Sequence, residues 1–266
     1  MNLSMPRAFS HTILLKELAE RGRLLDTEGA LEIGGSLGGS KASIEMALAR
    51  LVKSGLLKRV RRGLYLVSSP GMTPLHPFVI GTALVEGGVI GGWSALHHHG
   101  LTEQIPRVIE VMGSKRTRSG KTEGSRRLIE FEGERFRVVT VVLSRMFGVE
   151  EQWFGGERAR ILDRERAVLE LFVRPRAFGG LETALTILEE RQRELKLDRL
   201  VEHAQALGAV SVIKRVGWAL EKTGAPVSVQ PLLDVEAKGY GLLDPSRPAR
   251  GPWLSRWHLR ENLEPA

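Results

Sequence analysis

The 266-residue sequence contains no cysteine, which excludes disulfide bonds and zinc sites built on cysteine ligands. It also lacks a long apolar run. The longest stretch without a charged side chain, from Gly63 to Val85, is interrupted by Pro70, Pro74 and Pro77, so it does not predict a membrane-spanning helix. No signal peptide is evident near the first residues. We therefore expect a cytoplasmic protein that has no membrane partner and is held together by packing.

The basic charge of the chain is concentrated in particular segments. The net charge is +8 and the isoelectric point is near 10.1. Residues 1–70 hold 11 Lys and Arg against 6 Asp and Glu, and residues 107–137 hold 9 against 5, whereas residues 151–205 hold 10 against 11. An uneven distribution of this kind favours specific basic surfaces that bind a polyanion over a general solubilising charge.

The amino-terminal segment predicts a winged helix-turn-helix. A first helix is expected after Ser10 or Thr12, a weaker second one around Thr27 to Leu37, and a third one after Ser40. Two short apolar runs then flank a basic turn that contains Gly63, which is the pattern of a β-hairpin. In such a domain the third helix enters the major groove of DNA, and the hairpin, or wing, contacts phosphates or the minor groove.

The third helix and the wing supply the candidate DNA contacts. From Lys41 to Arg62 the sequence has seven basic residues and one acidic residue, Glu45. This charge favours double-stranded DNA as the partner, although a solvated basic face on a structural domain would have the same composition. The predicted DNA-binding residues are Lys41, Ser43, Arg50, Lys53, Lys58, Arg59, Arg61 and Arg62.

The rest of the chain predicts a larger mixed domain. Residues 68–77 are rich in proline and serine, as linkers are. Domain boundaries are therefore placed at 1–70 and 71–266. Strands are expected at 107–112, 127–131 and 135–142, amphipathic helices from Asp163 onward, and a strand in the tail that holds Trp253 and Trp257. The predicted fold class is α+β: a winged helix-turn-helix followed by a larger α/β domain with a helical carboxyl-terminal half.

A second basic segment lies between two of the expected strands. Residues 113–127, GSKRTRSGKTEGSRR, contain six basic residues and one acidic residue. An exposed loop would have this composition, and a second element that contacts phosphates is the alternative. The candidates for this second contact are Lys115, Arg116, Arg118 and Lys121.

The sequence GGWSALHHHG, residues 91–100, places His97, His98 and His99 side by side. Neighbouring residues on a helix point about 100° apart, so the three side chains cannot converge on one ion. Helical zinc pairs are instead four residues apart and have a carboxylate between them. We expect no metal and no cofactor here, and histidines divided between core, groove and solvent.

No pattern in the chain supports catalysis. Asp163 and Glu165 are two residues apart and diverge on a helix, and no serine nucleophile elbow is present. Glu110 and Lys115 lack the acid-x-Lys spacing of metal-dependent nucleases. We therefore expect no enzyme, although carboxylates from distant segments that converge in a DNA-acting enzyme stay open as an alternative.

Three motifs, in the same order, resemble the AbiEi family of antitoxins from type IV toxin–antitoxin systems. They are LVKSGLLKRVRRGLYLV, PFVIGTALVEGGVIGGWSALHHHGLTEQIP and ILDRERAVLELFVRPRAFGGLETAL. The resemblance implies a winged helix that binds inverted repeats in its own promoter and represses the operon, with a dimer on the DNA left open. It also implies a larger domain that counters a nucleotidyltransferase-like toxin without necessarily binding it.

One further function, from another class, stays open. The chain would then be a stand-alone transcription factor whose larger domain senses a small molecule or mediates dimerisation. A neighbouring toxin-like reading frame would argue against that alternative. Metal-dependent cleavage of plasmid DNA by the purified protein would instead favour the DNA-acting enzyme.

Overall fold

The structure, a computed structural model, describes residues 9–68, 71–114, 121–123 and 126–263. Within these ranges, no helix combines the length and the apolar character that crossing a membrane requires.

The amino-terminal part folds as a winged helix-turn-helix. Its elements are α1 (His11–Arg21), β1 (Leu24–Asp26), α2 (Thr27–Ser36), α3 (Lys41–Lys53), β2 (Leu57–Arg61) and β3 (Leu64–Val67). The three strands form an antiparallel sheet in the order β1-β3-β2. Each helix begins at a side chain that caps its free N–H groups: Ser10 for α1, Asp26 for α2 and Ser40 for α3.

A small apolar core holds the three helices of the winged helix together. Leu14 and Leu18 of α1 pack with Ile44, Leu48 and Leu51 of α3, and all five are buried. The helices approach closely because Gly34 of α2 has no side chain: a Cβ there would lie 2.6 Å from the Ile44 side chain.

A seven-stranded mixed sheet organises the first half of the larger domain. Its elements are α4 (Pro77–Leu84), β4 (Val89–Gly91), α5 (Gly92–His98), β5 (Ile109–Gly113), β6 (Lys121–Glu123), β7 (Arg126–Phe131), β8 (Glu134–Thr140), β9 (Val149–Phe154) and β10 (Glu157–Leu162). The strand order is β6-β7-β8-β5-β4-β10-β9. The pairs β5–β8 and β10–β4 are parallel and the other pairs are antiparallel.

The second half is helical and ends in a small sheet. Its elements are α6 (Arg164–Val173), α7 (Glu182–Arg191), α8 (Leu197–Leu207), α9 (Val210–Lys222), α10 (Gln230–Leu233), β11 (Gly241–Leu242), β12 (Trp253–Leu254) and β13 (Leu259–Arg260). The helix α6 lies at the centre, because it packs against α5, α7, α8 and α9 and most of its residues are buried. The three short strands are ordered β11-β13-β12.

This architecture confirms the α+β class expected from the sequence, with the winged helix first and the helical half last. The structure also contains strands that were not expected, namely β1, β4, β6, β9, β10 and β11. The strands β4 and β10 lie next to each other inside the large sheet, so they are part of its framework.

The wing is packed onto the larger domain. Val60 of β2 and Leu66 of β3 are buried in the apolar core that contains Val79 and Leu84 of α4. The other two buried apolar residues of the wing, Leu57 and Val67, belong to the core of the winged helix. The hairpin therefore takes part in both apolar cores, one on each of its faces.

Candidate nucleic-acid interface

One face of α3 is buried and the other is open to solvent. The buried face carries Ile44, Ala47, Leu48 and Leu51. The exposed residues are Lys41, Ala42, Glu45, Met46, Ala49, Arg50 and Lys53. Cations therefore lie at both ends of the exposed face, and its middle holds small or apolar side chains together with the acidic Glu45. Met46 is 57% exposed, which is unusual for a large apolar residue.

Ser43 stands apart from the other predicted contacts on α3. Its hydroxyl donates to the Ser40 carbonyl oxygen at 2.8 Å, and its own N–H donates to the Ser40 Oγ at 3.2 Å. The side chain is half-buried and is part of the cap of α3. It therefore fixes the start of the helix, whereas the neighbouring Lys41 is exposed.

The four predicted basic residues of the wing divide into two pairs. Arg59 and Arg62 are exposed. Lys58 instead contacts Glu132 of the β7–β8 turn, with its Nζ 2.6 Å from the nearer carboxylate oxygen. The Nε of Arg61 donates to the carbonyl oxygen of Ala83 in α4 at 3.0 Å. One pair therefore faces solvent, and the other holds the wing on the larger domain.

Arg23, which the sequence did not single out, strengthens the same junction. Its side chain donates to the carbonyl oxygens of Val67 at 3.4 Å and Thr73 at 2.7 Å, and its backbone N–H donates to Glu157 Oε1 at 3.0 Å. One residue thus connects β1, the wing, the linker and β10.

The second predicted basic contact falls largely outside the described residues. Lys115, Arg116 and Arg118 lie in a range that the structure does not describe, and of Lys121 only the backbone position is described, at the start of the edge strand β6.

The three adjacent histidines point to three different partners. His98 Nε2 lies 2.7 Å from Gln152 Oε1, His99 Nε2 lies 2.7 Å from the carbonyl oxygen of Leu162, and His97 Nδ1 lies 3.4 Å from the carbonyl oxygen of Thr102. Because a carbonyl oxygen only accepts, His99 carries its hydrogen on Nε2. Burial lowers the pKa of His99, although its bond to Leu162 acts in the opposite direction.

Two of the three histidines, His97 and His98, border a cleft at the start of α4 together with His76. The ring of His76 stacks on Phe154 with centroids 4.1 Å apart, and burial together with nearby His98 lowers its pKa. The cleft has a volume of about 440 Å³, and its lining also includes Ile105 and Glu134. Among the described residues, no group of three or more histidines and carboxylates is arranged to hold a metal ion.

A chain of buried ion pairs connects the sheet to the helical half. Arg166 donates to Glu170 at 2.6 Å, Arg174 donates to the same carboxylate at 2.7 Å, and Arg174 also reaches Glu110 of β5 at 2.6 Å. Burial alone would raise the pKa of Glu170, but the two arginines outweigh this effect and lower it. The four charges compensate one another, and therefore the arrangement is structural.

The two carboxylates considered for catalysis serve helix ends. Asp163 caps α6 by accepting from the Arg166 N–H at 2.8 Å. Glu165 accepts from the backbone N–H of Lys196, at the start of α8, at 2.8 Å. The two side chains therefore point to different neighbours, as their spacing in the sequence indicated.

Comparison with solved structures shows that the chain has a known fold. Among the similar structures is that of the RV2827C protein from Mycobacterium tuberculosis, with a TM-score of 0.59 and 17% sequence identity. The match covers 93% of this chain and 89% of that one. At this identity the likeness concerns the fold alone. No family model matches the chain, and no curated protein is similar to it.

The candidate interface also includes three residues that are not among the predicted DNA contacts. Ala42, Met46 and Ala49 lie on the exposed face of α3, between its cations. Their signal in the sequence was the helical period alone, because they lie opposite Ile44 and Leu48. An apolar side chain on an exposed helix face carries no charge pattern to indicate a function.

Proposed function

We propose that the protein is a winged-helix transcriptional repressor that binds double-stranded operator DNA and acts as the antitoxin of a toxin–antitoxin operon. The observation that carries the DNA-binding part is the solvent-exposed surface formed by α3 and the wing. Its cations are Lys41, Arg50, Lys53, Arg59 and Arg62, all of them exposed. Within the described part of the chain, none of the five side chains has an acidic partner.

The exposed face of α3 has the chemistry of a helix that lies in the major groove. Cations at its ends can neutralise phosphates on either side of the groove, which supplies affinity. Ala42, Met46 and Ala49 in its middle can contact the methyl groups of thymine, which supplies base preference. The N–H groups at the start of α3 favour a phosphate beside Lys41.

The wing adds two exposed positive charges, and its hairpin is held against the larger domain. Arg59 and Arg62 are exposed on a hairpin whose other side is buried in the larger domain through Val60 and Leu66. Lys58 and Arg61 leave the list of DNA contacts in this proposal, because both bind the larger domain. A wing held in this way presents its arginines at a fixed angle to α3, which lowers the entropy lost on binding.

The antitoxin part of the proposal is supported by the three sequence motifs that resemble the AbiEi family. Two of them lie in the larger domain: one includes α4, β4 and α5, and the other includes α6 and the start of α7. Their residues build the junction with the wing and the buried ion pairs. The functional partner in this proposal is a nucleotidyltransferase-like toxin, and no catalytic step is assigned to this chain.

The wing provides the sharpest test of DNA binding. Replacing Arg59 and Arg62 by alanine removes two exposed charges, so we expect weaker operator binding and a slope of log K against log salt that is flatter by about 1.8, or about 0.9 per phosphate contact. The measurement is fluorescence anisotropy with an operator duplex from about 50 to 200 mM salt.

The matched control uses the other two wing cations. The variant Lys58→Ala/Arg61→Ala removes the same number of charges from the same hairpin, at positions that contact Glu132 and Ala83. We expect its salt slope to stay close to that of the unsubstituted protein. Equal slopes for the unsubstituted protein and the Arg59/Arg62 variant would overturn the assignment of these arginines to DNA.

A further inference from the structure

The carboxyl-terminal sheet exposes a cluster of rings that the proposed function does not use. Trp253 is 58% exposed and Tyr240 is 48% exposed, although both are large and apolar. Their ring centroids are 4.9 Å apart, and the guanidinium of Arg260 lies 4.8 Å from the centre of the Trp253 ring. His258 lies beside Tyr240, with 5.2 Å between ring centroids. We call these four residues the aromatic platform.

The register of the three strands places the four side chains together. Trp253 of β12 lies directly opposite Arg260 of β13. Gly241 of β11 pairs with Leu259, so that Tyr240 stands next to His258. Side chains alternate along a strand, and the buried Leu259 therefore turns inward while Arg260 turns outward.

The small sheet is held against α9 by the buried Trp257. Trp257 is buried against α9, where a Cβ at Gly217 would overlap its ring. Its Nε1 donates to Glu221 Oε2 at 2.6 Å. His258 has a φ of 51°, a left-handed conformation that residues other than glycine rarely adopt. Backbone strain of this kind is found preferentially at functional sites.

The charge around the platform indicates what it binds. From Lys238 to Glu261 the chain has five cations and two acids, of which Asp244 is fully buried. Arg247 and Arg256 are paired with Glu182 and Glu221, and the other three cations are Lys238, Arg250 and Arg260. Lys238 and Arg250 are exposed and have no acidic partner among the described residues. Exposed rings among unpaired cations match a ligand that has flat faces and a negatively charged backbone.

A second exposed tryptophan in the same molecule provides a contrast. Trp153 of β9 is 68% exposed and has the guanidinium of Arg158 5.1 Å from its ring centre. That arginine, however, pairs with Glu151 at 2.8 Å, and Glu150 is adjacent in the sequence. Both sites have an exposed tryptophan with an arginine over its ring. They differ in that Glu151 neutralises Arg158, whereas Arg260 has no acidic partner among the described residues.

We propose that the aromatic platform binds single-stranded nucleic acid, with unpaired bases stacked on Trp253 and Tyr240 and phosphates beside Arg250, Arg260 and Lys238. Stacking of this kind tolerates any base, because every base has a π-face. In a duplex the bases are stacked on one another and closed to such contacts, so the platform discriminates against double strands. The proposal does not rest on the repressor function, since it uses no residue of the winged helix.

The test uses the full chain and a fluorescein-labelled oligo(dT) of about 12 nucleotides at low salt, followed by anisotropy. We expect the unsubstituted protein to bind it, and the double variant Tyr240→Ala/Trp253→Ala to bind about tenfold or more weakly, the loss typical of removing a stacked base contact. Trp253→Phe keeps a flat ring, and we expect it to retain most of the affinity.

Two control variants make the result specific. Trp153→Ala removes a ring that is even more exposed than Trp253 from the site beside Glu151, and we expect no change in oligo(dT) affinity. Arg59→Ala/Arg62→Ala removes the exposed charges of the wing, and we expect it to weaken duplex binding while oligo(dT) binding persists. Failure of the winged-helix proposal and failure of this one are therefore distinguishable.

Four outcomes would overturn the proposal. They are no binding of oligo(dT) by the unsubstituted protein, no loss in the Tyr240/Trp253 variant, the same loss in the Trp153 variant, and competition by an unlabelled duplex as strong as that by the single strand. If the chain instead self-associates and Trp253→Ala abolishes that association without affecting oligo(dT), the platform is an interface between copies.

Discussion

At the scale of single residues, Asp163 is a buried carboxylate that binds three partners in the larger domain. Its side chain is 2% exposed and accepts from the Arg166 N–H, from Arg199 Nη2 at 2.8 Å and from His203 Nε2 at 3.0 Å. Burial alone would raise the pKa of Asp163, but these hydrogen bonds and the charges of His203 and Arg199 hold it below its ordinary value. The ionised form therefore stabilises the junction between α6 and α8.

The lowered pKa of Asp163 makes this stabilisation depend on pH in a definite direction. The folded protein binds the proton less tightly than the unfolded chain does, so the stabilisation is complete above the ordinary aspartate pKa of about 3.9 and disappears as the pH falls through the folded value. For Asp163→Asn we expect a loss of about 2 kcal/mol of unfolding free energy at pH 7, since bonds to charged partners are lost. Urea unfolding at pH 7 and near pH 3 measures both values.

The exposed Asp198 provides a control for this substitution. It stands beside Arg199 in the sequence, and Asp198→Asn makes the same change of charge on the surface of α8. We expect its effect to stay within about 0.5 kcal/mol. A difference between Asp163→Asn and the unsubstituted protein that is as large near pH 3 as at pH 7 would contradict the role of the ionised carboxylate.

At the scale of elements, the proposed DNA-binding role of α3 assigns affinity and base preference to different residues of one face. Lys41, Arg50 and Lys53 carry charge, whereas Met46 offers an exposed apolar surface without charge. A phosphate contact strengthens binding to any sequence, whereas contact with a base edge strengthens binding to one sequence. Substituting a cation should therefore weaken binding to every duplex and change its salt dependence. Substituting Met46 should weaken binding to one DNA sequence and leave the salt dependence as it is.

Substitution of Met46 tests the base-reading part of α3. For Met46→Ala we expect a loss of roughly 1–3 kcal/mol on the operator and little change on random duplex, with an unaltered salt slope because no charge is removed. Lys53→Ala is the matched control on the same face, and we expect it to weaken both duplexes and to flatten the slope by about 0.9. Equal losses of Met46→Ala on operator and random DNA would count against base contact.

The elements that the sequence predicted are those with local signals. The helices α1 and α3 have an apolar period and a capping serine, and the wing has Gly63 in its turn, where φ is 77°. The strands β4 and β9 have neither: β4 has three residues, and β9, Val149–Phe154, contains two adjacent glutamates. Tertiary pairing stabilises both: β9 pairs along its whole length with β10, and β4 pairs with β5 and β10, and a local pattern does not reveal these partners.

The candidate interface was predictable to the same extent. Helical period and charge placed Lys41, Arg50 and Lys53 on an exposed face. The contacts of Lys58 and Arg61 could not be predicted, because Glu132 and Ala83 are 74 and 22 residues away in the sequence. A basic residue pairs with whatever the tertiary fold brings near it, and neither composition nor spacing encodes that neighbour.

At the scale of the whole molecule, the winged helix and the larger domain are joined by a short linker and also pack against each other. The wing contributes Val60 and Leu66 to the larger core, and Arg23 and Arg61 donate to carbonyl oxygens on the far side of the junction. Burying two aliphatic side chains typically contributes a few kcal/mol. This is a substantial fraction of the total stability of a protein, so the two parts are expected to unfold together.

The five tryptophans make this coupling measurable. All of them lie at or beyond Trp93, so tryptophan fluorescence reports on the larger domain alone, whereas far-ultraviolet circular dichroism reports on the helices of both parts. Leu48 is 3% exposed in the core of the winged helix, and we expect Leu48→Ala to cost about 2–5 kcal/mol. If the parts unfold as one unit, the fluorescence midpoint in urea falls together with the dichroism midpoint.

Met46→Ala, on the exposed side of the same helix, should move neither midpoint. A Leu48→Ala variant that unfolds in two steps, with the tryptophan transition where it stands in the unsubstituted protein, would show that the contacts of the wing do not couple the two parts.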